Sequence, residues 1–124
     1  MILKKNKYGF YLKREDPFIL ESDGYYCSLI ENALEVADQT GHTGGLEEMK
    51  GQVIELRDKA YAAMGIDGKH VIRSIVSKLK TMFIYLRDKA KEFTKNYGPK
   101  IKKAIDSLCN FIMNTIDDIK NQLS

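Results

Sequence analysis

The sequence predicts a mainly α-helical fold: an antiparallel bundle of about four helices, the last two long, with a short N-terminal β-hairpin. From residue 46 onward, apolar residues recur at alternating spacings of three and four, which places them on one face of a helix. Before residue 22 the pattern instead alternates with a period of two, which is typical of a half-buried strand. The 124 residues are expected to form a single domain, 1–124, made of a hairpin segment, 1–22, and a helical bundle, 23–124.

The hairpin is expected within residues 7–21. Apolar residues alternate with other types from Tyr8 to Lys13, which predicts the first strand. Pro17 and the charged residues before it predict a turn, after which Phe18–Leu20 form the return strand. Because a two-stranded hairpin is only marginally stable alone in water, its aromatic face is expected to lie on the helices or on a partner.

Two helices are expected in the first half of the bundle. The first covers residues 25–38 and follows potential N-cap residues at 22–24. Three glycines within residues 39–45 predict a flexible loop. The second helix covers residues 46–64 and is expected to end at Gly65, since glycine just after the last apolar repeat is a C-terminal signal.

The remaining two helices are expected to be longer. The third covers residues 69–97 and ends before Gly98-Pro99, and the fourth covers about 99–122. Twenty-nine residues in the third helix cannot be covered by the fourteen of the first. Part of the apolar stripe of the third helix is therefore expected to lack cover within the chain, which indicates a partner or a second copy.

The pentapeptide LRDKA occurs twice, at residues 56–60 and 86–90. In each copy the leucine and the alanine lie four residues apart and are expected to face the core, while the three charged residues face solvent. The two helices thus share one phase of their apolar repeat. Duplication and chance convergence both account for the repetition, and two copies are too few for a solenoid.

Charge is segregated along the chain, although the net charge is only +3. Residues 1–14 contain five Lys or Arg and no acid, residues 15–55 contain ten acids and one Lys, and residues 56–103 contain thirteen Lys or Arg and four acids. Solvated or mutually facing surfaces would explain this pattern, as would a basic surface for nucleic acid, anionic lipid or an acidic protein. The candidate nucleic-acid-binding residues of the basic face, 73–103, are Arg73, Lys80, Arg87, Lys91, Lys95, Lys100, Lys102 and Lys103.

Catalytic and metal-binding patterns are not recognised in the sequence. His42 and His70 lie 28 residues apart without a zinc-binding spacing, and the glycines around His42 lack the Lys-Ser/Thr that follows a phosphate-binding P-loop. Cys27 and Cys109 form no CxxC pair; reduced thiols are expected, and a disulfide remains the alternative. We therefore expect no enzyme, no catalytic residue, no metal, no cofactor and no small-molecule substrate.

The expected function is that of a small protein-binding module, acting through the aromatic hairpin and a helical apolar surface. Its partner is another protein or a second copy, and the candidate partner-binding residues are Tyr8, Phe10, Tyr11, Phe18, Tyr25 and Phe111. Size and the lack of catalytic motifs suit inhibitors, immunity proteins, chaperones and assembly factors, including those of viruses and mobile elements. The alternative is a nucleic-acid-binding protein that uses the basic face. The cytoplasm is the expected compartment and a membrane is not an expected partner, since no secretory signal or apolar span is recognised.

Overall fold

The computed structural model describes residues 20–92 and 98–123, which form four α-helices around one hydrophobic core. These helices are α1 (Asp23–Thr40), α2 (Gly44–Met64), α3 (Lys69–Glu92) and α4 (Pro99–Leu123). No strand occurs within these two ranges. The mainly helical class with four helices is confirmed, whereas the predicted hairpin falls almost wholly on residues 1–19, outside the described residues.

The helices pack so that α1 and α4 each lie against both α2 and α3, which also touch each other. Two polar contacts fix the relative direction of α1 and α3. Lys78 Nζ lies 3.1 Å from Asp23 Oδ1, and further along both helices the Tyr85 hydroxyl donates a hydrogen bond of 3.1 Å to Glu31 Oε1. The two helices therefore run in the same direction, and α2, joined to each by a short connection, runs opposite to them.

α1 is longer than the sequence predicts because both of its ends are capped. Ser22 Oγ accepts a hydrogen bond of 3.2 Å from the Tyr25 N–H at the first turn. At the other end Gly41 adopts a left-handed conformation, φ +77°, and its N–H donates to the Ala37 carbonyl at 2.8 Å. The predicted glycine loop thus shortens to residues 41–43, since Gly44 and Gly45 belong to α2.

Gly45 has a packing role that the sequence pattern does not reveal. A Cβ atom added at this position would lie 3.1 Å from the Cβ of Ala33, closer than carbon atoms normally pack. The glycine and the alanine therefore let α1 and α2 approach closely near their connection. At the far end of α2 the helix stops at Met64 as predicted, although the left-handed residue of that turn is Asp67 and not Gly65.

The predicted stripe of the third helix is covered in part within the described residues. α1 contains 18 residues against 24 in α3, so the difference in length is smaller than expected. Ile72, Leu79 and Leu86 of that stripe are buried together with Ile75 and Met82 beside it, whereas Val76 and Phe83 are only partly buried. The reason is that α3 contacts α1, α2 and α4 at once, which broadens its buried face.

The LRDKA repeat behaves as an amphipathic helical segment. Leu56 and Leu86 are both fully buried in the core. The arginine and aspartate of each copy stay at the surface and approach each other, Arg57 with Asp58 at 3.2 Å and the equivalent pair of the second copy at 3.8 Å. The leucine positions were thus predicted correctly from spacing alone.

Candidate functional site

A groove between α3 and α4 collects basic side chains over an apolar floor. We call it the α3–α4 groove; its volume is about 180 Å³, and its lining residues are Arg87, Ala90, Lys91, Lys102, Ile105, Asp106 and Cys109. On each helix these residues are three or four positions apart, so they share one edge of the helix. The groove therefore forms where two helix edges face each other, each edge lying beside the buried residues of α3 or of α4.

The floor and the rim of the α3–α4 groove differ in polarity. Ile105 is buried, and Ala90 and Cys109 are partly buried and pack against the core, so the floor is apolar. The rim consists of exposed charged residues, three of them cations and one an acid, namely Arg87, Lys91, Lys102 and Asp106. Such a groove is complementary to an apolar side chain that has a negatively charged group beside it.

The Arg87 side chain is positioned by the aromatic ring one turn before it. Its guanidinium carbon lies 5.5 Å from the centre of the Phe83 ring, within cation–π range, and its Nε lies 3.8 Å from Asp88 Oδ1. Phe83 itself is partly buried against the core. The Phe83 ring therefore packs against the Arg87 side chain at the rim of the groove and limits the rotamers that Arg87 adopts.

The two cysteines are free thiols and neither is arranged as a nucleophile. The pKa of Cys109 is raised to about 11, mainly by burial and also by the charge of Asp106, while Arg87 acts to lower it. Burial, followed by the charge of Asp23, also raises the pKa of Cys27. Both thiols are therefore protonated near neutral pH. Because the thiolate is the reactive form of cysteine, neither is a strong nucleophile, and Cys109 serves as part of the apolar floor.

The predicted basic face divides into three groups in the structure. Arg87, Lys91 and Lys102 meet at the α3–α4 groove. Arg73 and Lys80 are exposed on α3 and precede Arg87 by two steps of seven residues, so they extend one row along the same side of the helix. The others do not join them: Lys95 lies outside the described residues, and Lys100 and Lys103 are about 200° and 100° around α4 from Lys102.

The predicted partner-binding aromatics are also separated. Tyr8, Phe10, Tyr11 and Phe18 lie outside the described residues. Tyr25 is 41% exposed and packs edge to face on Tyr26, with ring centres 5.3 Å apart. Phe111 is partly buried between α2 and α4, where the Lys50 ammonium lies 5.9 Å from its ring centre and donates a hydrogen bond of 2.9 Å to Ser107 Oγ.

The predicted basic face includes the cations of the α3–α4 groove but not its floor or its acid, Asp106. A signal was nevertheless present, because Lys102, Asp106 and Cys109 follow each other by four and three residues on the edge of the apolar stripe of α4.

The other predicted chemical positions do not assemble into a site within the described residues. His42 and His70 are both exposed. Across residues 20–92 and 98–123, no three His, Cys, Asp or Glu side chains come together as a possible metal site. In the same ranges, no helix combines the length and the apolar character needed to span a lipid bilayer.

Alkaline pH is expected to destabilise the protein through Tyr85 and Cys109. Burial and the hydrogen bond to Glu31 raise the pKa of Tyr85 from 10.0 to about 12, and the pKa of Cys109 rises from 9.0 to about 11. Folding thus favours the protonated form of both groups, so their contribution is fully present below pH 9 and is lost as the pH rises towards 12. The midpoint of urea unfolding, followed by circular dichroism, should fall across this window.

Replacing Tyr85 with Phe provides the test of this pH dependence. Tyr85→Phe should flatten the alkaline fall, because the variant has no phenol to deprotonate on unfolding. Tyr61→Phe, at an exposed tyrosine of α2, is the matched control. An equal flattening in both variants would show that the Tyr85 site does not cause it.

Comparison with known proteins yielded no relatives. No protein-family model, curated protein or solved structure matches the chain. The functional inference therefore rests on the geometry of the chain's own residues, above all on the α3–α4 groove.

Proposed function

We propose that the protein is a small non-enzymatic protein-binding module whose α3–α4 groove holds an acidic, partly apolar segment of a partner protein. The observation that carries the proposal is the combination of three rim cations, Arg87, Lys91 and Lys102, with an apolar floor. A carboxylate of the partner would pair with the cations, while a neighbouring apolar side chain would cover Ile105 and Ala90. Complementary charge of this kind sets orientation and specificity at protein interfaces.

The size of the groove favours one anchoring side chain over a metabolite. Pockets for small molecules usually measure about 300–1,000 Å³. The α3–α4 groove measures about 180 Å³. This volume and the partly buried floor suit a single apolar side chain of a bound peptide. The exposed cations would form the polar rim around that side chain.

Nucleic acid is the second candidate, favoured by the exposed row of Arg73, Lys80 and Arg87 on α3. Two features make it weaker than the first. An apolar floor adds nothing to contacts with a charged backbone. Lys100 and Lys103 also point to other sides of α4, so the basic stretch does not form one continuous surface.

Selection from a library of random short peptides displayed on phage tests the proposal with the full chain as bait. Enriched peptides should combine Asp or Glu with Leu, Phe or another large apolar residue, and they should not bind Arg87→Glu. Enrichment of neutral or basic peptides, or binding that is unaffected by Arg87→Glu, would contradict the proposal.

Fluorescence anisotropy with a random-sequence oligonucleotide at low and high salt tests the alternative, nucleic-acid binding. Tight, salt-sensitive binding of the oligonucleotide would support that alternative.

The class of protein that we propose is the one expected from the sequence. An inhibitor, immunity protein, chaperone or assembly factor would use such a groove to hold one short segment of its target. The two free thiols, both with raised pKa values, are compatible with the cytoplasm that we propose as the compartment.

A further inference from the structure

A second groove lies between α1 and α2, and its polarity is opposite to that of the α3–α4 groove. We call it the α1–α2 groove; its volume is about 270 Å³. Its apolar part includes Leu29, Met49 and Val36, the last of which is 47% exposed. Glu48 and Gln52 form its α2 rim. The groove therefore presents apolar surface beside an acidic and amide rim, and it has no Lys or Arg among its lining residues.

The acidic rim continues along α2 to the start of α1. Glu48, Gln52 and Glu55 follow each other by four and three residues, so they share one edge of α2. Burial, followed by the charges of Glu21 and Glu55, raises the pKa of the Tyr26 hydroxyl, so both carboxylates act on that hydroxyl. Glu21 itself adjoins Leu20, where residues 1–19 join the described part of the chain.

The chain contains a segment of complementary chemistry next to that point. Residues 1–14 have five Lys or Arg, no acid, and the three aromatic residues Tyr8, Phe10 and Tyr11. The rim from Glu48 to Glu55 is about 10 Å long at 1.5 Å per helical residue. Residues 15–19 alone can span about 16 Å, so residues 1–14 are within reach of the whole rim.

We propose that residues 1–14 bind in the α1–α2 groove of the same molecule, their aromatic residues covering its apolar floor and their cations pairing with Glu48 and Glu55. Charge complementarity selects this occupant, since the groove is acidic and the segment is purely basic. The connection through Leu20 also places the segment at the groove at an effective concentration on the order of millimolar. The two grooves then have different occupants, one from the chain itself and one from a partner.

Carbodiimide cross-linking of the full chain, which joins a carboxylate to a lysine amine without a spacer, tests this proposal. Mass spectrometry should find Lys4, Lys5, Lys7 or Lys13 joined to Glu48 or Glu55. The yield should exceed that at Asp117 and Asp118 by about tenfold, because those exposed acids lie on α4, on the other side of the α2–α3 pair. Glu48→Gln should lower the yield at Glu55, which keeps its carboxylate but loses the neighbouring rim charge, and circular dichroism checks that this surface variant remains folded.

An equal mixture of ¹⁴N- and ¹⁵N-labelled chains separates the possible occupants. Cross-linked peptides should carry one isotope only, as expected for a segment bound within its own molecule. Peptides that mix the two isotopes would overturn the proposal in favour of a second copy. Equal yields at Asp117 and Glu48, or an unchanged yield at Glu55 in the Glu48→Gln variant, would overturn it outright.

Discussion

Leu56→Ala and Leu86→Ala are each expected to lower the free energy of unfolding by about 3 kcal/mol, the cost typical of a leucine deleted from a packed core. Both leucines are fully buried at equivalent positions of the LRDKA repeat. Domains of this size are stable by only about 5–15 kcal/mol, so either change should shift the urea midpoint strongly. Equilibrium unfolding followed by circular dichroism measures the loss.

The matched controls are Ile54→Ala and Ile84→Ala, two residues before each leucine. These isoleucines are 37% and 48% exposed on the same helices, and they are separated by the same 30 residues. Because a truncated side chain at the surface leaves no cavity, we expect each control to change stability by less than about 1 kcal/mol. Similar losses at the isoleucines and the leucines would contradict the packing of α2 and α3 described above.

The helices were predictable because their signal is local. A spacing of three and four residues repeats the turn of an α-helix, so the positions of Leu56 and Leu86 follow without knowledge of any neighbour. Capping also acts locally, which is why Ser22 could be named as a cap. The exact buried face of α3 was not predictable, since Ile75 and Val76 are equally apolar and only the arrangement of three surrounding helices decides which is covered.

The α3–α4 groove depends on how two helices meet, and a single helical pattern contains no such information. Lys91 and Lys102 are eleven residues apart in sequence. They line one groove only because α3 and α4 turn the appropriate edges towards each other. The sequence therefore predicted a broad basic face, whereas the structure divides its cations among several sides. The partner-binding roles predicted for Tyr8, Phe10, Tyr11 and Phe18 stay predictions. Cross-linking of residues 1–14 tests where the segment with the first three of these residues binds.

Charge reversal in the α3–α4 groove should have the largest effect on binding. In the double variant Arg87→Glu, Lys102→Glu, a bound carboxylate would meet two negative charges where it met two positive ones. Like charges placed opposite each other cost several kcal/mol at an interface, so a loss of about 2.7 kcal/mol, or roughly a hundredfold in affinity, is a moderate expectation. Isothermal titration with an acidic peptide enriched from the phage library measures it.

The control for this experiment is Lys100→Glu, Lys103→Glu, which changes the net charge by the same amount at two positions of α4. Since neither Lys100 nor Lys103 lines the groove, mainly longer-range attraction should weaken, and that part is screened beyond about 8 Å at physiological salt. We therefore expect the control to lose less than about threefold in affinity at that ionic strength. Equal losses in the two double variants would mean that overall charge, and not the apolar groove with its cationic rim, attracts the peptide.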